Sequence, residues 1–249
     1  MDFVKVEGLG NDFIVVGEEP DPATIARWCE RHTGIGADGV LLLTAIDAGR
    51  VAMRYWNADG GEVELCGNGL RCLALLSVTD GLVDDASFVV ESAVGDHPVT
   101  VLDDGMVRAF VGRPHAFRTE EMIVAGHTVR PVGVGNPHAV LFVDDVDEAR
   151  VEEIGSTIEL DPLFPEGVNV EFVETGADDR IKVRVWERGV GETKASGTGA
   201  AAAAYAARTA EELGDAITVE LPGGELLVEF DDEGAWMTGP ARIVYRGSM

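Results

Sequence analysis

Residues 54–69 and 184–199 align without a gap as RYWNADGGEVELCGNG and RVWERGVGETKASGTG, every matched pair lying 130 positions apart. The two stretches share Arg54/Arg184, Trp56/Trp186, Gly61/Gly191, Glu62/Glu192, Gly67/Gly197 and Gly69/Gly199, and they align Cys66 with Ser196. Glycine-rich turns alone would not also preserve Arg, Trp and Glu in register. A weaker echo, 125 positions apart, aligns Gly10-Asn11-Asp12-Phe13 with Gly135-Asn136-Pro137-His138. The chain therefore reads as two related α/β halves, and a duplicated unit of this kind suggests a site in the cleft between them.

With 249 residues, each half is long enough for its own core. The expected division is 1–112 and 113–235, with a C-terminal strand at 236–249 returning to the first half. No stretch approaches the roughly 20 apolar residues of a membrane span, and the N-terminal MDFVKVEGLG lacks a basic-then-apolar signal layout, so a cytoplasmic protein is expected. Cys29, Cys66 and Cys72 are odd in number and lack metal-ligand spacing, which argues against a disulfide framework or a zinc site. His32, His97, His115 and His127 show no metal spacing either.

The chain carries 45 acidic against 19 basic residues, a net charge of −26, which opposes a phosphate backbone or an anionic membrane as partner. Lys5, Lys182 and Lys194 are its only lysines. An acidic, lysine-poor surface suits a protein dissolved in concentrated salt, where self-repulsion is screened. A halophilic source is the expectation.

Short apolar, β-branched runs predict strands at 13–16, 40–43, 88–90, 99–101, 138–143, 168–173, 181–186 and 217–221. Helices are expected at Pro22–Arg31, Leu70–Thr79, Val146–Ile154 and Ala200–Leu213. The second and fourth begin just after CGNG and SGTG and are apolar almost all round, so each is expected at the centre of its half with strands wrapped about it.

The chemistry sits where those helices begin. Gly67-Asn68-Gly69 leaves backbone N–H groups open at a helix N-terminus, which binds anions and favours the thiolate of Cys66. Cys72 and Cys29 read as packed hydrophobes. Gly197-Thr198-Gly199 offers a second amide cradle. Two such helix starts would clamp one carboxylate and set one proton-transfer group on either side of its α-carbon, which suits inversion without a pyridoxal lysine.

These residues resemble the diaminopimelate epimerase family nearly end to end. The likeness rests on GLGNDFIVV (8–16), HTGIGADG (32–39), NADGGEVELCGNGLRC (57–72), VGNPHAV (134–140), FPEGVNVEF (164–172), WERGVGETKASGTGAAAAA (186–204), LPGGEL (221–226) and MTGPARIVYRG (237–247). It implies an α/β (α+β) fold of two pseudo-symmetric halves, each a curled mixed sheet around a central helix. It further implies a small-molecule substrate, diaminopimelate, no cofactor or metal, and a homodimer. By position, Cys66 would be one catalytic thiol, and the amides of Gly67, Asn68, Gly197 and Thr198 would hold the reacting carboxylate. Arg188 would pair with the distal carboxylate, a task its planar fork suits. Asn11, Asn57, Asn136 and Asn169 would fix the remainder, with Glu187 and His138 assisting proton traffic or ammonium binding.

The chain departs from the family pattern at Ser196, which stands where the resemblance implies the second catalytic cysteine. Its hydroxyl is a far weaker acid than a thiol, so slow, directional epimerisation or none is expected. Val6-Glu7 and Gly39 are smaller departures. A related isomerase or dehydratase and a non-catalytic diamino-diacid binding protein remain as alternatives. A dinucleotide fold does not, because about ten residues separate Trp186 from the Gly-x-Gly run, whereas the fingerprint follows its strand directly.

Overall fold

Alternation of apolar residues decides how the strands face. In a computed structural model that describes residues 1–118 and 120–248, β1 (Asp2–Gly8) pairs antiparallel with β2 (Asn11–Val16), and β2 pairs parallel with β3 (Gly39–Asp47). Phe13, Val15, Leu41 and Leu43 point to one side of this sheet; Ile14, Val16, Val40 and Leu42 point to the other. Both faces are therefore covered, the second by α1 (Pro22–Cys29).

Asp21 caps α1 by accepting from Thr24 N at 3.0 Å, and Pro22 occupies the first turn, where its missing N–H costs nothing. The helix stops short of the expected Arg31 because the chain folds back, with Gly34 N donating to Glu30 O at 2.9 Å. A Cβ on Gly34 would lie 2.2 Å from Arg27 O, so only glycine fits this return.

The chain continues through β4 (Arg50–Asn57), β5 (Glu62–Val63), α2 (Gly67–Thr79), β6 (Ser87–Ser92), β7 (Gly95–Val101) and β8 (Met106–Gly112). Helix α2 is buried from Gly67 to Ala74 and lies in the core with Phe13, Leu41, Val90 and Val107. The first unit comprises Met1–Phe110 with Thr238–Met249.

The second unit, Val111–Met237, repeats the plan. It holds β9 (His115–Ala116), β10 (Met122–Val124), β11 (His127–Gly133), β12 (Pro137–Phe142), α3 (Val151–Glu159), β13 (Asn169–Thr175), β14 (Arg180–Glu187), β15 (Gly191–Thr193), α4 (Gly197–Ala210), β16 (Ala216–Leu221) and β17 (Gly224–Phe230). Strand β12 runs parallel to β13, as β2 does to β3; β14 runs parallel to β16, as β4 does to β6. Strand β18 (Ala235–Pro240) leads into β19 (Arg242–Ser248), which pairs antiparallel with β1, and position 249 lies outside the described residues. The expected fold class, mixed sheets around central helices, is what the chain adopts.

The matched residues of the repeat perform the same task in each unit. Arg54 Nε donates to Glu62 Oε1 at 2.7 Å across β4 and β5, and Arg184 Nε donates to Glu192 Oε1 at 2.7 Å across β14 and β15. Arg184 also displaces α3 from its expected start at Val146. Its guanidinium gathers the carbonyls of Val146, Asp147 and Ala149 at 3.0, 3.3 and 3.1 Å, holding 146–150 in a non-helical turn. The helix begins only at Val151.

Candidate active site

Cys66 and Ser196 each occupy the N-cap of a buried helix, with φ of −130° at both and ψ of 113° and 123°. Gly69 N donates to Cys66 Sγ at 3.4 Å, and Gly199 N donates to Ser196 Oγ at 3.2 Å. The next amides, of Gly67 and Asn68 in α2 and of Gly197 and Thr198 in α4, belong to first helical turns, where N–H groups lack carbonyl partners within the helix. Helix starts of this kind can bind anions, and Cys66 and Ser196 stand at the lip of the two.

Around Cys66 the side chains are fixed by charge. Asn11 Oδ1 lies 3.8 Å from Cys66 Sγ and accepts from Asn68 Nδ2 at 3.3 Å. Asn11 Nδ2 donates to Asp38 Oδ2 at 2.7 Å, and Arg31 bridges Asp38 and Asp12 at 2.5 and 2.8 Å. Lys5, almost fully buried, pairs with Asp12 at 2.6 Å and donates to Gly36 O. Burial opposes ionisation of Asp12, but hydrogen bonds from Arg31 and Lys5 outweigh it and hold the carboxyl below its ordinary value. Asn57, at the end of β4, accepts from Tyr55 OH at 2.8 Å.

A second group, Arg71, was not singled out from sequence. Its fully buried guanidinium donates to Asn68 Oδ1 at 2.8 Å, Gly67 O at 3.4 Å and Pro240 O at 3.3 Å. Burial lowers it to about 10, which leaves it charged at neutral pH, within electrostatic reach of Cys66 and Cys72. Burial dominates at the other thiols: Cys29 is pushed up to about 11 and Cys72 higher still.

In the second unit, His138 and Asn136 flank the turn into β12. His138 Nε2 lies 2.8 Å from Asn136 Oδ1, and Asn136 Nδ2 donates to Thr198 Oγ1 at 3.4 Å. Asn169 spans two neighbours, donating to Pro137 O at 3.1 Å and accepting from Arg188 N at 2.9 Å, which fixes the chain where Arg188 leaves β14. The Arg188 guanidinium donates to Glu166 O at 3.2 Å, and Glu187 Oε1 accepts from Thr193 Oγ1 at 2.5 Å. Glu171, fully buried with Oε1 2.6 Å from His138 Nδ1, is the other residue that sequence reasoning passed over. No local signal marks it, since a carboxyl between Val170 and Phe172 in a strand reads as facing away from the apolar side. No cluster of three or more metal-ligating side chains exists among the described residues.

The family model described as Diaminopimelate epimerase matches residues 3–116 and 131–244. Curated relatives include the diaminopimelate epimerase of Halorhodospira halophila, 43% identical over 272 residues, spanning 100% of this chain and 95% of that protein. That of Desulforudis audaxviator is 41% identical over 273 residues, spanning 99% and 98%. Among solved structures, a probable proline racemase from Agrobacterium radiobacter superposes with TM-score 0.79 at 16% identity, covering 100% of this chain and 92% of that one. A Bacillus anthracis phenazine biosynthesis protein of the PhzF family gives 0.74 at 18%, covering 100% and 98%. At such identities these two establish likeness of fold alone.

Proposed function

The chain belongs to the diaminopimelate epimerase family, and on that premise we propose that it interconverts LL- and meso-diaminopimelate in lysine biosynthesis by two-face α-proton transfer. The observation that carries this reading is the shared N-cap geometry of Cys66 and Ser196, each at the first turn of a buried helix.

Cys66 acts as thiolate base on one face. The N-terminus of α2 and the buried Arg71 guanidinium both favour its charged form. As the α-proton leaves, negative charge grows on the substrate carboxylate, where the amides of Gly67, Asn68, Gly197 and Thr198 stabilise it. Ser196 returns a proton to the opposite face from its hydroxyl and is left as an alkoxide, the same species that must remove the proton in the reverse direction. That alkoxide is costly both ways: each unit of pKa above the working pH adds about 1.4 kcal/mol. Epimerisation is therefore slow, while α-hydrogen exchange that uses Cys66 alone stays fast for the isomer whose α-hydrogen faces it.

Arg188 takes the distal carboxylate; Asn11, Asn57, Asn136 and the remaining N–H of Asn169 position the substrate, with Glu187 and His138 assisting at its ammonium and proton-transfer ends. A cytoplasmic homodimer adapted to salt completes the proposal. No described helix is long and apolar enough to cross a membrane.

The test is α-hydrogen exchange in deuterated water, started separately from each stereoisomer. Exchange from one isomer well ahead of the other supports the assignment. Tight binding with no exchange from either would instead favour a binding protein.

A further inference from the structure

Glu171 and Leu41 are counterparts in the repeat, 130 positions apart on the parallel strands β13 and β3. Each lies beneath the glycine that closes its helix cap. A Cβ on Gly69 would meet Leu41 Cδ2 at 3.0 Å; a Cβ on Gly199 would meet Glu171 Oε1 at 2.9 Å and Ser196 Oγ at 3.1 Å. Across the neighbouring strand, Phe13 and His138 are likewise counterparts. The fold thus accepts an apolar Phe–Leu pair at this place in one unit and holds a His–Glu pair in the other.

That exchange is costly. Glu171 Oε2 is buried without a hydrogen-bond partner among the described residues, which leaves its desolvation uncompensated. Packing alone would have favoured leucine.

The hydrogen bonds show what the pair does instead. Asn136 Oδ1 can only accept, so the His138 Nε2 facing it carries a hydrogen. His138 Nδ1 then needs one proton between itself and Glu171 Oε1, whichever atom owns it. Without that proton, either Nδ1 faces a carboxylate lone pair to lone pair, or the ring adopts its other tautomer and Nε2 repels Asn136 Oδ1.

We propose that Glu171 is a positioning residue of the epimerase site: it shares one proton with His138, locks His138 as the Nε2–H donor to Asn136, and through Asn136 sets Thr198 at the mouth of α4. The inference rests on the epimerase reading for its catalytic consequence. Glu171 lies between Val140 on β12 and Val185 on β14, with Gly199 of α4 over its Oε1; the one charged or ionisable side chain acting on it is His138. Burial pushes Glu171 up, so the shared proton persists to higher pH than on an ordinary carboxyl.

The experiment compares Glu171→Gln and Glu171→Leu with the parent, using ring-nitrogen NMR of His138 and pH profiles of exchange in the parent and Ser196→Cys backgrounds. The parent should show His138 protonated at Nε2 and an alkaline limb in kcat. Gln can donate to Nδ1 without titrating, so that variant should keep the tautomer, stay within about tenfold of the parent and lose the limb. Leu should lose the tautomer preference and about 10- to 100-fold in kcat while remaining folded. A folded Leu variant with parental kcat and pH profile, or a parent His138 bare at Nε2, overturns the proposal. The NMR arm needs no turnover, so a parent and Ser196→Cys variant that both exchange nothing would sink the epimerase reading separately.

Discussion

Asn11 Oδ1 faces Cys66 Sγ at 3.8 Å because Asp38 holds the other end of the Asn11 amide at 2.7 Å. A hydrogen-bond acceptor beside the sulfur is thus oriented by the Asp38 carboxylate, which Arg31 in turn anchors.

Asp38→Ala should release Asn11 and slow Cys66-dependent exchange by about 10- to 100-fold, the usual cost of losing an outer-shell orienting group. Single-isomer exchange rates measure it. A variant that exchanges at the parental rate would show that Asn11 needs no such support.

Ser196→Cys should speed exchange from the slow isomer at least tenfold. Sulfur is a weaker acceptor than oxygen, so the cap to Gly199 N should weaken and stability fall by about 0.5–1 kcal/mol. Deuterium uptake and urea melts read the two effects. Loss of stability without any gain in exchange would remove position 196 from the proton path.

Alkylation of the native protein should concentrate on Cys66 and stop exchange. Cys29, pushed up to about 11 by burial, and Cys72, pushed higher, should react only after unfolding. Peptide mass mapping after brief iodoacetamide treatment decides this, and early labelling at Cys72 would contradict it.

Asp12 should make the first unit acid-sensitive. Its folded value lies below the unfolded one, so the stability it contributes is present above about 3.9 and is lost as pH falls through the folded value. Asp12→Asn leaves buried Lys5 without its partner and should cost about 3 kcal/mol at neutral pH while flattening the acid slope. Urea melts at stepped pH would expose an unchanged slope, which would place the acid sensitivity elsewhere.

Raising salt from about 0.1 M to about 1 M shortens the screening length from roughly 10 to 3 Å and should raise Tm steadily in a chain of net charge −26. A Tm that falls would overturn salt adaptation.

The central helices were legible in sequence because their signal is local, an apolar run on every face preceded by glycines. They begin at Gly67 and Gly197 rather than at the expected Leu70 and Ala200, which makes Cys66 and Ser196 their N-caps. The start of α3 was not legible. It depends on Arg184, more than thirty residues later, taking three carbonyls out of a helical ladder. Glu171 was missed for a related reason. A carboxyl in an alternating strand reads as facing solvent, and only the parallel pairing of β12 with β13 brings His138 beside it. Arg71 was missed because its acceptor at Pro240 lies 169 positions away and arrives with the returning C-terminal segment.

Helix α4 is built from Ala200–Ala204 followed by Tyr205, Ala206 and Ala207, all but the tyrosine buried. Methyl groups have no rotamers to adjust, so nothing along this stretch can take up slack when a neighbour changes. The backbone alone sets where the helix begins. Position 196 is in consequence a socket: what is fitted there alters the acidity of the group presented, while the place from which it is presented stays the same.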